Sequence, residues 1–93
     1  MSLETLASKY IEVTERVLKE VQETKGAKKI SGEQVNCVLN YVKNYLEDAK
    51  YFRTRKMFET SLTSVAYCEG LLDALRLLGT VKFEWPTEKK REK

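Results

Sequence analysis

Apolar residues recur at intervals of three and four along three long stretches of this chain, the spacing of one face of an α-helix. In the first stretch, Leu3, Leu6, Tyr10, Val13, Val17 and Val21 form a single stripe, widened by Ile11 and Leu18. Lys9, Glu12, Glu15, Arg16, Lys19, Glu20 and Glu23 fill the other faces. The pattern predicts a helix over 3–25, closed by Lys25-Gly26 with a cation in its last turn and a glycine beyond. The second stretch has a sharper start. Ser31 is placed to cap the free amides, Gln34 to reach back to it, and Ile30 with Val35 to act as a hydrophobic staple. Val35, Val38, Leu39, Val42, Tyr45, Leu46, Ala49 and Phe52 continue the stripe, and the helix is expected to stop between Tyr51 and Arg55, with no Gly or Pro to mark the place.

A third helix is expected from Thr54 or Arg55 to Leu78, with Gly79 closing it. Phe58, Leu62, Val65, Ala66, Leu72, Leu75 and Leu78 supply its apolar face. Ala66, Gly70 and Ala74 set small residues four apart, a spacing expected to mark close helix approach or, as the alternative, a ligand cleft. After Gly79 the period changes to two: Val81, Phe83 and Trp85 alternate with Lys82 and Glu84 until Pro86 intervenes. This reads as an extended arm, followed by a charged, disordered tail over 87–93. The fold expected is all-α: an antiparallel up-down-up three-helix bundle over 1–79, with the arm and tail over 80–93.

Composition narrows the chemistry more than it reveals it. The chain has 93 residues, 42% hydrophobic and 33% charged, enough apolar content for one small folded domain. It has no histidine, which removes the commonest general base and metal ligand and every Ser-His or Cys-His pair. No phosphate-binding glycine loop or nucleophile elbow is present, so no enzymatic activity, catalytic residue, metal or cofactor is expected. The longest uncharged runs, 34–42 and 60–68, are far shorter than the ~20 residues of a membrane span. No secretory signal is visible at the start of the chain, and a cytoplasmic location is expected. Cys37 and Cys68 stand alone and read as reduced, half-buried thiols. The net charge of +3 is mild for a nucleic-acid binder.

Tyr45-Leu46-Glu47-Asp48-Ala49-Lys50-Tyr51-Phe52 closes the second helical stretch. Tyr67-Cys68-Glu69-Gly70-Leu71-Leu72-Asp73-Ala74, followed by Leu77-Leu78-Gly79, closes the third. Together these motifs resemble a family of short archaeal proteins known as domain of unknown function 357, over about Leu3 to Gly79. The resemblance implies a cytoplasmic archaeal protein folded as a left-handed, up-and-down three-helix bundle, and it carries no assigned activity. An archaeal source also keeps a Cys37–Cys68 disulfide open as the alternative to free thiols. In a hairpin turning near Thr54 the two cysteines would lie within about one helical turn of the same level.

Two surfaces are candidates for function. Val81, Phe83 and Trp85 put three large apolar groups outside the bundle, where they either cover their own core or meet another chain. They are the residues named for contact with a protein partner or a second copy. Lys50, Tyr51, Arg53, Arg55 and Lys56 interleave cations with an aromatic ring, a mixture able to hold phosphates and stack bases, so weak RNA or DNA binding is the alternative function. Its plainer reading is a helix end whose charges complement the dipole and pair with Glu47, Asp48 and Glu59. Lys25, Lys28 and Lys29 with Lys82, Lys89, Lys90 and Arg91 form a second, more dilute basic group. Glu69 and Asp73 share a helix face but are too few to cage a cation, and Arg76 is close enough to pair with either. The reading that follows is a non-enzymatic helical interaction module. Nothing in the sequence speaks to a small-molecule ligand.

Overall fold

Three helices carry the chain: α1 (Leu3–Glu20), α2 (Gly32–Thr54) and α3 (Phe58–Leu77), with no strand among the described residues. A computed structural model describes residues 2–26 and 28–86, so the tail expected over 87–93 lies outside the described residues. The all-α, three-helix reading holds. No helix among the described residues is long and apolar enough to cross a membrane.

α1 begins where the Ser2 hydroxyl accepts a hydrogen bond from the Thr5 amide at 3.0 Å. It ends at Glu20, five residues before the expected Lys25, because Val21 takes up extended backbone at φ −61°, ψ 133°. Glu20 and Glu23 sit at the end where the helix dipole disfavours anions. No side chain of α1 is buried, so no packing holds its last turns against that cost.

α2 opens as the sequence predicts. The Ser31 hydroxyl accepts from the Gln34 amide at 3.1 Å, and the Gln34 side-chain oxygen accepts from the Ser31 amide at 2.9 Å. Its end needs no glycine. The Lys56 amide donates to the Arg53 carbonyl and the Met57 amide to the Phe52 carbonyl, a Schellman ending with Lys56 at φ 61° in the left-handed position. α3 therefore starts only at Phe58, and Arg55 and Lys56 lie in the turn, not in α3's first turn as expected. The end of α3 repeats the motif with glycine: Gly79 at φ 77°, its amide bonded to the Arg76 carbonyl and that of Thr80 to the Leu75 carbonyl.

α2 and α3 pack against each other, and among the described residues close helix–helix packing is confined to this pair. Their register is written in two unusual hydrogen bonds. The Ser61 hydroxyl donates to the Ala49 carbonyl at 2.8 Å, and the Cys68 thiol to the Val42 carbonyl at 3.4 Å. One heptad forward on α3 meets one heptad back on α2, so the pair runs antiparallel, with heptad-spaced packing. Val42, Ala49, Cys68 and Leu75 are the buried core. The small side chains along this seam bring the two backbones close enough for side chains of α3 to reach carbonyls of α2.

The inner face of α3 thus runs through Ser61, Cys68 and Leu75, flanked by half-buried Ser64, Val65, Leu71 and Leu72. Phe58, Leu62, Ala66 and Leu78, expected on that face, are exposed. Ala66, Gly70 and Ala74 are exposed as well, and nothing lies within 4 Å of where a Cβ on Gly70 would stand. The close approach uses serine and cysteine instead of this alanine–glycine stripe.

Candidate functional site

The arm packs on its own chain. The Trp85 indole N–H donates to the Asp73 carboxylate at 2.8 Å, and an Arg76 guanidinium nitrogen approaches the same Oδ1 at 3.3 Å. Phe83 meets Trp85 edge to face with ring centroids 5.0 Å apart, and the Arg76 guanidinium lies 5.2 Å from the Phe83 ring centre. The alternation of the sequence is obeyed: Val81, Phe83 and Trp85 are half-buried, Lys82 and Glu84 exposed. The arm's contacts run to Asp73 and Arg76 on its own α3, and its three apolar residues stay half-buried there. Asp73 is consumed by Trp85 and Arg76, as the proximity of Arg76 predicts, and no group of three or more potential metal ligands gathers among the described residues.

The basic-aromatic turn is brought together in space and is largely paired within itself. The Arg55 guanidinium donates to the Tyr51 hydroxyl at 2.8 Å and lies 5.7 Å from that ring's centre. Tyr51 in turn meets Phe52 edge to face at 5.6 Å. Lys50 pairs with Glu47 at 3.3 Å. Arg53 and Lys56 are exposed in the same turn. The Tyr51 ring meant to stack a base carries Arg55 on it instead. Of the second basic group, Lys28 pairs with Glu23 at 3.3 Å, and Lys89, Lys90 and Arg91 lie outside the described residues.

The two thiols are free and differ sharply in setting. Cys68 is buried on the α2–α3 seam, where burial pushes its thiol pKa up, with Glu69 and Asp48 adding to the rise and its backbone hydrogen bond opposing it. Cys37 is exposed on an outward face of α2, beside Asn36, Asn40 and Tyr41. The register fixed by Val42 and Cys68 sets Cys37 five residues, about 7.5 Å, from the level of Cys68, more than the single turn expected. Both were expected to be half-buried; one is buried and the other open.

The largest unsatisfied surface was legible in the sequence only as core. On α1, Leu3, Tyr10, Ile11, Val13, Val17 and Leu18 are all exposed, Leu18 at 73%. Only half-buried Leu6 differs, and Leu3, Leu6, Ala7 and Tyr10 share an open cleft with Glu59, Thr60 and Thr63 at the start of α3. The hairpin also exposes apolar groups. Tyr45 and Tyr67 pair edge to face across α2 and α3 at 4.6 Å, and both remain exposed, as do Tyr41 and Leu78. Periodicity marked these residues as apolar-facing; it carries no information on what covers them.

A family model described as a protein of unknown function (DUF357) matches residues 9–81, which span all of α2 and α3 and most of α1. No curated protein matches the chain. No solved structure matches it.

Proposed function

The chain belongs to the DUF357 family of proteins of unknown function, and from that premise we propose that it is a non-enzymatic, cytoplasmic helical interaction module. The observation that carries this reading is α1, an amphipathic helix with no buried side chain and an apolar stripe along its whole length. An 18-residue helix is marginal in water by itself, so a stripe of this kind gains most of its stability from a surface that covers it. Isolated apolar side chains on a surface are ordinary; a continuous face of them marks a contact site. Contact therefore centres on α1 and the tyrosines of the hairpin, while Val81, Phe83 and Trp85 seal the edge of the module. RNA or DNA binding through the turn is less well supported, since Lys50, Tyr51 and Arg55 already satisfy one another or a neighbour.

Affinity capture of the tagged chain from host extract, split into nuclease-treated and untreated halves, tests the reading. A defined polypeptide, either another protein or untagged copies of the chain, should survive nuclease and be lost when Val13 and Val17 are both changed to Glu. Companions that vanish on nuclease treatment and are indifferent to those changes would refute it in favour of the basic turn.

A further inference from the structure

We infer that the turn between α2 and α3 carries a second docking surface, distinct from the stripe of α1, and that its partner is an acidic protein segment with an apolar anchor. Met57, Phe58 and Leu62 supply the apolar part, at 46%, 58% and 69% exposure. Phe58 and Leu62 stand one helical turn apart on one face of α3. Lys56, Met57, Phe58, Glu59 and Thr60 line an open cleft of about 520 Å³ at its start. Arg53, Arg55 and Lys56 supply the charge, all exposed and all within five positions of Phe58. Lys50 is paired with Glu47, but the Arg55 guanidinium meets the neutral Tyr51 hydroxyl and ring and keeps its charge uncompensated. Among the described residues no carboxylate pairs with Arg53 or Lys56.

The residues at this turn are not those that would hold it best. Lys56 stands at φ 61°, where the matching turn after α3 uses Gly79. Met57 takes the N-cap position of α3 and makes no side-chain cap there, a position where Ser, Thr, Asp or Asn would stabilise the helix. A cation and an apolar side chain thus hold two adjacent positions at a cost to the fold. Departures of this kind gather where a surface is used.

Charge and shape together select the partner. Three cations, with Glu59 beside them, match about two or three carboxylates on a polypeptide. They fall short of the roughly 4–8 that hold a segment to an anionic lipid leaflet, and of the roughly 6–10 phosphate contacts of a salt-sensitive nucleic-acid binder. The Tyr51 ring already carries Arg55, and Met57 and Leu62 are aliphatic groups for which a base stack has no use. An apolar side chain of the partner fills the cleft beside Phe58, while neighbouring carboxylates meet Arg53 and Lys56.

The test is selection on the full chain from a random peptide library displayed on phage, followed by fluorescence anisotropy of the selected peptides, with oligouridylate and phosphatidylserine vesicles as competing probes. Selected peptides should be rich in Asp and Glu around a Leu, Ile, Phe or Trp anchor. Lys56→Gly should weaken their binding about two- to fivefold while leaving the chain at least as stable, so that lost affinity is not lost fold. Phe58→Ser should weaken it at least about tenfold. Peptides without an acidic bias, or with an affinity indifferent to both changes, overturn the proposal. Oligouridylate or vesicles bound in place of peptides, and released by Arg53→Ala, overturn it in favour of nucleic acid or membrane. Peptides lost when Val13 and Val17 are changed to Glu, but retained by Phe58→Ser, overturn the second surface and leave the reading of α1 standing.

Discussion

Asp73 joins the arm to α3, and its removal should show how firmly. The perturbation is a double-mutant cycle of Asp73→Ala and Trp85→Phe. Trp85→Phe keeps a ring to meet Phe83 but deletes the N–H that Asp73 accepts at 2.8 Å. A neutral donor on a carboxylate is worth about 1.5–3 kcal/mol when buried. The Asp73 side chain is 44% exposed, so the coupling energy expected is nearer 1 kcal/mol. Asp73→Ala also loses the ion pair with Arg76, a half-exposed contact at 3.3 Å that adds only a few tenths. The single changes should each cost about 1–1.5 kcal/mol, and the double change about 1 kcal/mol less than their sum. Urea unfolding followed by circular dichroism measures the cycle. For a chain of this size each kcal/mol is also roughly 4–8 °C in Tm. Trp85 is the sole tryptophan, so its emission in Asp73→Ala should shift to the red as the arm loosens. Energies that add to within about 0.3 kcal/mol, with unchanged emission, would refute the claim that this bond holds the arm.

Three further outcomes follow from the same contacts. Lys56→Gly should stabilise the chain by up to about 1 kcal/mol in urea unfolding, because a non-glycine residue at φ 61° carries a strain that glycine lacks; a destabilised variant would contradict the Schellman ending. Ser31→Ala should cost about 1 kcal/mol by breaking the capping box, with the loss read in helical circular dichroism and midpoint alike. The raised pKa of Cys68 means the folded state holds that proton more tightly than the unfolded state. The resulting stability is complete below the unfolded value near 9 and lost as pH rises through the folded value; Cys68→Ala should flatten that alkaline decline, while iodoacetamide labels Cys37 long before Cys68.

The parts of the fold legible in the sequence are those set by local chemistry. Ser31 and Gln34 announced α2 because a capping box is a short-range arrangement, complete within four residues. Gly79 announced the end of α3 for the same reason, since glycine is the residue with the least penalty at positive φ. Lys56 makes the identical turn without announcing it, so the end of α2 was placed correctly but the start of α3 three or four residues early. The seam was missed for a different reason. Ser61 and Cys68 are polar or weakly polar and fell outside an apolar stripe, yet each is small and carries a donor that reaches a backbone carbonyl. The arm was legible as period two, but its bond to Asp73, twelve residues away, was not.

What separates α1 from α2 is the connection each helix has to its neighbour, since their stripes repeat at the same intervals. Thr54 and Phe58 are joined by three residues, so α2 and α3 meet at a very high effective concentration and pair with each other before any other surface can compete. α1 hangs on the segment 21–31, without a close helix contact to hold it. Its local concentration at its own hairpin falls toward the millimolar range expected of flexible tethers. Shortening that tether should therefore shift the balance. A chain lacking two or three residues between Val21 and Lys25 binds α1 to one reachable surface, and light scattering then decides which. A smaller hydrodynamic radius places α1 on its own hairpin, whereas an unchanged radius refutes the tether as the reason α1 stands apart.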